Sequence, residues 1–348
     1  MKANFGNYTL RAAVVALSVV LWMLCGCAPG EKQTPHPAVT TAATEETLPT
    51  ETTLPVLEEG VVAHNGKYYR LREDQLRILV MGLDKRNRTE SDSGYTNKMQ
   101  SDFLLLVVMD EDTKECNILN LNRDTMTPIQ RLGFGGSVSG VYTAQLALAH
   151  TYGRGGEDSA RNVMQAVSNL LGGVPIDHYM SLTMSSISKL NDLVGGVTVT
   201  ILEDFTAEDP ALIEGREVTL TGKQALTYVH GRKNIGNGTN LGRMDRQEQY
   251  LYAFYHQFLE ASRTGGVDFL TRVLMTVGTS FRSDLDFDAL NQLRELLPSC
   301  KINPFQSLEG ELVMGEEFHE YYVDEEALQE QVISLFYEEI PLEEARRK

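Results

Sequence analysis

Basic residues are in short supply in this chain. Its 348 residues carry 31 Lys and Arg against 48 Asp and Glu, a formal net charge of −17. General binding to nucleic acid needs the opposite balance, a basic surface that displaces counterions, and is excluded. Cysteine is scarcer still, with 4 in the whole chain. Cys25 and Cys27 lie near the amino terminus, far from Cys116 and Cys300. No CxxC and no Cys/His spacing marks a zinc site. For Cys116 and Cys300, a disulfide and two separate thiols both remain open. GxSxG, HExxH and GxxxxGK[ST] are all missing, so a Ser/His/Asp hydrolase, a zinc protease and a P-loop nucleotide site have no support. Internal repeats are absent. What is present is a 42% hydrophobic and 23% charged composition, enough for a sizeable core. The length allows about two domains, or one large domain with extensions.

The first 27 residues read as an export segment. Lys2 and Arg11 supply positive charge, and Ala12 to Leu24 is almost unbroken in apolar character. That run is short of the roughly 20 residues a membrane span needs. Leu24-Cys25-Gly26-Cys27 looks like a bacterial lipobox, in which Cys27 would be lipidated; the alternative is an uncleaved signal anchor. Either way the rest of the chain lies outside the cytoplasmic membrane. Residues 31–60 hold eight Thr, four Pro and six Glu and no aromatic residue. Such a stretch buries too little apolar surface to offset its ordering entropy, and reads as a solvated tether.

From about residue 66 the pattern becomes globular. Leu76 to Gly82 is a short apolar strand, and Phe103 to Met109 is apolar throughout, as a central strand buried on both faces should be. Glu115 to Asn122 reads as its hairpin partner. Helical spacing over Glu157 to Leu171 ends at Gly172-Gly173, and Ile187 to Val194 ends at Gly195-Gly196. Strands are expected at His178 to Met184 and Val197 to Leu202. Thr221 and Gln224 form a capping-box pattern that opens a helix through Val229. Further helices are expected at Arg243 to Ala261, Phe287 to Leu297 and Glu325 to Tyr337, with an extended piece near Leu308 to Val313. The sum is an α/β protein, a three-layer α/β/α with a central mixed β-sheet.

Three segments at the ends of these elements carry candidate chemistry. Asp84 follows the first strand and Asp102 opens the next; two such carboxylates suit a hard divalent cation, though most loop aspartates are merely solvated. Asn122-Arg123-Asp124-Thr125 closes the hairpin strand, and alone reads as an Arg–Asp pair in a turn. Val229 to Gln247 concentrates Arg232, Lys233, Arg243 and Arg246 among glycines at 231, 236, 238 and 242. The glycines suggest a flexible loop or close approach of backbone to a ligand. The following helix is expected to start at Asn240 as N-cap. Arg243 and Arg246 then sit in a first turn, where cations are disfavoured unless an anion is present. Pairing with Asp245 and Glu248 on a solvated helix is the rival account. His230 lies in the same loop, whereas His150 and His178 look structural.

In order, these segments resemble the LytR–CpsA–Psr (LCP) family of bacterial cell-wall proteins. The carriers are Gly82-Leu83-Asp84, Ser101-Asp102, Arg123-Asp124-Thr125, Gly195-Gly196-Val197, the LxGxQALxYV string from Leu220 to Val229, and the R-x-x-R-Q string from Arg243 to Gln247. The match covers about Leu76 to Ser262. It implies an extracytoplasmic phosphotransferase, anchored through the amino terminus at the outer face of the cytoplasmic membrane. Such an enzyme moves a glycan phosphate, such as a teichoic acid or capsular polymer, from a polyprenyl-pyrophosphate lipid to peptidoglycan with Mg²⁺. The prenyl chain would lie in an apolar pocket. By position, Asp84 and Asp102 would be metal ligands. Arg123, Arg232, Arg243 and Gln247 would hold the pyrophosphate, supported by Arg246. Arg123 would be catalytic, with Asp84 or Asp124 assisting proton removal. The implied organisation is an anchor or lipobox over 1–27, a tether over 28–65, a catalytic domain over 66–265 and a carboxy-terminal α/β extension over 266–348.

The chain departs from the family pattern at three places. Gln100 stands where the family usually has Arg, His230 likewise, and Asn240 where it usually has Asp. Two cations and one carboxylate are replaced. Two other activities therefore stay open: hydrolysis of a polyprenyl pyrophosphate, and binding of lipid or polymer by a lipoprotein without turnover.

Overall fold

A computed structural model describes residues 57–346, apart from 59, 86–98, 185, 233, 234, 237, 297 and 298. The expected export segment with Cys27, most of the tether, and most of the loop joining Asp84 to Asp102 lie outside the described residues. Among the described residues no helix is long and apolar enough to cross a membrane.

Among the described residues the first elements are a hairpin of β1 (Val61–His64) and β2 (Lys67–Leu71). The sheet that organises the molecule then begins with β3 (Gln75–Lys85), β4 (Met99–Asp110) and β5 (Glu115–Asn120), all antiparallel neighbours. A second hairpin, β6 (Met126–Leu132) and β7 (Val138–Gln145), precedes α1 (Leu148–Thr151) and α2 (Gly156–Leu170). Next, β8 (His178–Thr183) runs parallel to β3, a crossover that α1 and α2 make possible. Then come α3 (Ser186–Leu193), the β9 (Val197–Thr200) and β10 (Glu217–Leu220) ribbon, α4 (Gly222–His230) and the long α5 (Asn240–Val277). Thr221 caps α4 as expected: its Oγ1 accepts from the Gln224 amide, and the Gln224 side chain accepts from the Thr221 amide.

The carboxy-terminal part is woven into this frame. The helical stretch α5 is two helices joined by a kink at Gly266 (φ +52°, ψ −139°), which falls at the division expected at 265/266. Beyond it, β11 (Phe281–Ser283) pairs antiparallel with β8. After α6 (Phe287–Leu296), β12 (Lys301–Ile302) and β13 (Gln306–Ser307) pair parallel with β5. Both edges of the central sheet, in the order β11-β8-β3-β4-β5-β12, therefore come from this part. The hairpin of β14 (Gly310–Met314) and β15 (His319–Val323), then α7 (Glu325–Phe336), β16 (Tyr337–Ile340) and the short α8 (Leu342–Ala345), follow. β16 pairs with β2. Cys116 and Cys300 are separate thiols, the first buried and the second partly exposed.

The sheet sends alternate side chains to opposite faces. Leu79, Met81, Leu104, Leu106 and Val108 join Val163, Val167 and Phe336 in one core, under α2 and α7. Ile78, Leu105, Val107, Ile118 and Met180 join Leu190, Tyr228, Tyr250, Phe254 and Leu293 in the other, under α3 to α6. The α/β/α layering is therefore real, and its two cores are separated by the sheet.

Candidate functional site

On the α3–α5 side the packing is incomplete. A cleft enclosing about 1100 Å³, open mouth included, runs between the sheet and the two helices. Val80, Phe103, Leu105, Leu190, Tyr250 and Phe254 are among its walls. Gly82 forms part of the floor. A Cβ there would lie 2.8 Å from both Met184 Sδ and Phe103 Cβ, so any side chain would crowd these two walls of the cleft. The cleft lining also takes in Val229 and Gln247. Gly82, Phe103, Val229 and Gln247 each sit within four residues of a charged candidate: Asp84, Asp102, His230 and Arg243. The apolar cleft thus ends on the charged cluster.

A backbone irregularity builds the first part of that cluster. The β3–β4 register shifts between Gly82 and Leu83, so Gly82 faces Phe103 while Leu83 faces Ser101. Asp102 is the extra residue of this bulge, and bulges re-aim side chains. Asp84, Asp102 and His230 then present one donor atom each, all within 4.8 Å of one another. His230 Nε2 lies 3.5 Å from Asp84 Oδ2. Oxygen and imidazole donors gathered this closely fit a divalent cation.

The turn after β5 supplies the second part. Asn122 Oδ1 accepts from the Asp124 amide at 3.0 Å, and the Thr125 amide donates to Asn122 O at 3.0 Å. Arg123 is thereby turned inward. Its guanidinium pairs with Asp102 and donates through Nε to Asp124 Oδ1 at 3.0 Å. Asp124 is fully buried, and Arg232 Nη1 lies 3.7 Å from its other oxygen. Arg232 itself is one-third exposed at the mouth.

Helix α5 supplies the third part. Asn240 does not serve as the expected cap. Its Nδ2 donates to Asn122 Oδ1 at 2.6 Å, and its Oδ1 accepts from Arg243 Nε at 2.9 Å, tying the helix start to the Arg123 turn. Arg243, Arg246 and Gln247 are buried and Asp245 is exposed, which rules out the solvated-helix account. Burial pushes Arg243 down to about 10, and the nearby positive Arg123 and Arg232 push the same way against Asp102 and Asp124. It stays charged at neutral pH while its bonded acceptor, Asn240, is neutral. A buried cation so placed favours an incoming anion.

Arg246 corrects its expected role. It does not join the anion site: Nε donates to Tyr228 O at 3.0 Å, Nη2 donates to Gly231 O, and Nη1 pairs with Glu203. The guanidinium also lies 5.0 Å over the Phe205 ring. Gln247 Nε2 donates to Val229 O at 3.0 Å. Together they clamp the last turn of α4. One glycine of the loop is explained from within the protein: Gly236, at φ +51°, closes on Glu203, which a Cβ would overlap.

Sequence reasoning missed Gln145 and Tyr321. Gln145 Nε2 donates to Asp124 Oδ1 at 3.1 Å and to His319 O at 2.7 Å, and the Tyr321 amide donates to Asp124 O at 2.9 Å. The β14–β15 hairpin therefore braces the Arg123–Asp124 turn. Its only signal is long-range backbone pairing, which local pattern does not carry.

A mixed-sheet α/β/α frame of this kind is shared with solved structures. TagV of B. subtilis matches at TM-score 0.55 and 24% identity, over 76% of this chain and 97% of that one. TagT bound to LI-WTA matches at TM-score 0.54 and 21% identity, over 76% and 90%. These likenesses are of fold. The chain belongs to the LytR_cpsA_psr family, whose family model matches residues 38–335. A curated relative, the polyisoprenyl-teichoic acid–peptidoglycan teichoic acid transferase TagU of Halalkalibacterium halodurans, is 30% identical over 64% of this chain. The match spans 65% of that relative's length.

Proposed function

We propose that the chain is an extracytoplasmic phosphotransferase that moves a glycan phosphate from a polyprenyl-pyrophosphate lipid onto peptidoglycan, a teichoic-acid attachment of the kind its curated relative is named for. It would work at the outer face of the cytoplasmic membrane, held there by its amino-terminal segment. The observation that carries the reading is the apolar cleft ending on inward-turned arginines and paired carboxylates. Such a cleft suits a prenyl chain, and the arginine forks suit pyrophosphate oxygens.

In this reading Arg123, Arg232 and Arg243 hold the pyrophosphate and neutralise charge as it develops. Gln247 keeps Val229, a wall of the cleft, in place. Asp84 and Asp102 would hold a divalent cation, Mg²⁺ by resemblance, which supplies Lewis-acid neutralisation of the phosphate oxygens. A peptidoglycan hydroxyl attacks the phosphorus that bears the glycan. A new P–O bond forms there, and the bond to the lipid phosphate breaks with its electron pair leaving on that phosphate. The hydroxyl proton goes to Asp84, which is partly exposed at the mouth. Asp124 is fully buried with Oδ1 accepting from both Arg123 and Gln145, which suits it to holding rather than to proton transfer.

The test uses the purified full chain, Mg²⁺ and a short-chain glycan-pyrophosphate-prenyl lipid, with and without peptidoglycan fragments, read by mass spectrometry. Glycan phosphate on peptidoglycan is expected. Arg123→Ala is expected to lower the rate by about 10²- to 10⁴-fold, through loss of two charge-assisted contacts of roughly 1.5–3 kcal/mol each. Lipid that binds and stays unchanged overturns the reading, as does phosphate release that ignores the acceptor.

A further inference from the structure

Asp84 and Asp102 are oxygen donors suited to Mg²⁺; His230 is a different kind of ligand. Its Nε2 stands 3.5 Å from Asp84 Oδ2, too long for a strong hydrogen bond. Two donors bound about 2.1 Å from one ion at a tetrahedral angle lie about 3.4 Å apart, close to that separation. Arg123 engages one oxygen of Asp102, Oδ1, and a carboxylate has a second oxygen to offer.

The imidazole is also delivered from a fixed position. Tyr228 O and Gly231 O are held by Arg246, and Val229 O is held by Gln247. Three carbonyls of the turn that carries His230 are thus tied to α5. A ligand held this way loses little freedom on binding an ion. Mg²⁺ prefers an all-oxygen octahedron with several waters, whereas imidazole favours first-row transition ions.

We propose that Asp84, Asp102 and His230 form a mixed oxygen–nitrogen site that takes a transition ion of the Mn²⁺ to Zn²⁺ class in preference to Mg²⁺. The inference rests on the reading of this cluster as a cation site and does not require that transfer occur.

The experiment uses the metal-stripped full chain and Mn²⁺ as probe. Free Mn²⁺ is followed by electron paramagnetic resonance during titration, and the bound ion by pulsed resonance for coupling to a histidine nitrogen. One Mn²⁺ per chain with nitrogen coupling is expected, displaced by Zn²⁺ and resisted by Mg²⁺ up to about tenfold excess or more. His230→Asn should abolish the nitrogen coupling and weaken Mn²⁺ binding by about tenfold, while Mg²⁺ binding changes by less than about twofold. His256→Asn, at an exposed position on α5, should change neither. His230 is 43% exposed, and an unchanged melting temperature in its variant checks that the fold is intact. Bound Mn²⁺ without nitrogen coupling overturns the proposal, as do equal losses of Mn²⁺ and Mg²⁺ in His230→Asn or no Mn²⁺ binding at all. Nitrogen-coupled Mn²⁺ in a chain that transfers nothing would sink the transferase reading alone. Transfer without nitrogen coupling would sink this inference alone.

Discussion

The two faces of the central sheet are made from the same strands and end up differently. On the α2–α7 face, Leu79, Met81, Leu104, Leu106 and Val108 are all buried and the layer is closed. On the α3–α5 face, Val80 and Phe103 are only partly buried, Gly82 offers no side chain, and a cleft remains. The difference lies in which residues fall on which side of an alternation of period two. The closed face is a wall that supports the strands. The open face keeps unfilled apolar surface, which a core optimised for stability would not do. The charged cluster sits at the end of the open face alone.

The sharpest test substitutes one residue on each face of β4. Leu106→Ala should cost about 3–5 kcal/mol of stability, as a buried leucine in a packed layer does. Phe103→Ala should cost roughly half as much, because its ring already borders open space, but should weaken prenyl-lipid binding where Leu106→Ala does not. Denaturant unfolding and a lipid-binding titration read the two effects. Equal stability losses with equal lipid binding would mean that the cleft closes in solution and the faces do not differ.

Much of this frame is legible in the sequence because it is written in local pattern. The apolar run from Phe103 to Met109 marks a strand buried on both sides, and the Thr221/Gln224 pair marks the start of α4. Asp84 and Asp102 are visible as carboxylates at strand ends. Their convergence is not, since it depends on a one-residue register shift that leaves no trace in hydrophobic periodicity. The arginines show the same limit. Arg243 and Arg246 look alike in the sequence, and the presence of Glu203 opposite one and Asn240 beside the other separates a structural clamp from an anion-facing cation. The β6–β7 hairpin escapes notice because many β7 side chains are exposed and the alternation is weak, whereas β14 overlaps the extended piece expected near Leu308 to Val313.

A smaller perturbation acts on the open face alone. Gly82→Ala places a methyl 2.8 Å from Met184 Sδ and Phe103 Cβ, inside the cleft. Prenyl-lipid affinity should fall about tenfold, or ~1.4 kcal/mol, while stability falls by about 1–3 kcal/mol. The same titration decides it. Unchanged affinity would show that the prenyl chain does not lie over this part of β3 and that the cleft has another occupant.

The smallest effect concerns the edge of the open face. Strand β11 carries Phe281, which lines the cleft, and Asp284 fastens the following turn to β8. Asp284 accepts from the Tyr179 amide at 2.8 Å and faces His178 Nδ1 at 3.6 Å. His178 is held above its ordinary value by Asp284, against the opposing effect of burial. Burial alone would raise Asp284; the Tyr179 amide, His178 and Arg161 outweigh it and hold it below its ordinary value. A raised histidine contributes fully below its unfolded value of about 6.5 and loses that contribution as pH rises through the folded value. A lowered carboxyl contributes above its unfolded value of about 3.9 and loses that contribution as pH falls. The pair is therefore strongest between about pH 4 and 6.5. Asp284→Asn should cost about 0.5–1 kcal/mol near pH 5.5 and less by pH 8.5, where the Tyr179 and Arg161 contacts of the parent remain. Thermal melting across that range measures it. If the deficit does not shrink with rising pH, the backbone hydrogen bond alone holds the edge, and His178 has no part in fixing the Phe281 wall of the cleft.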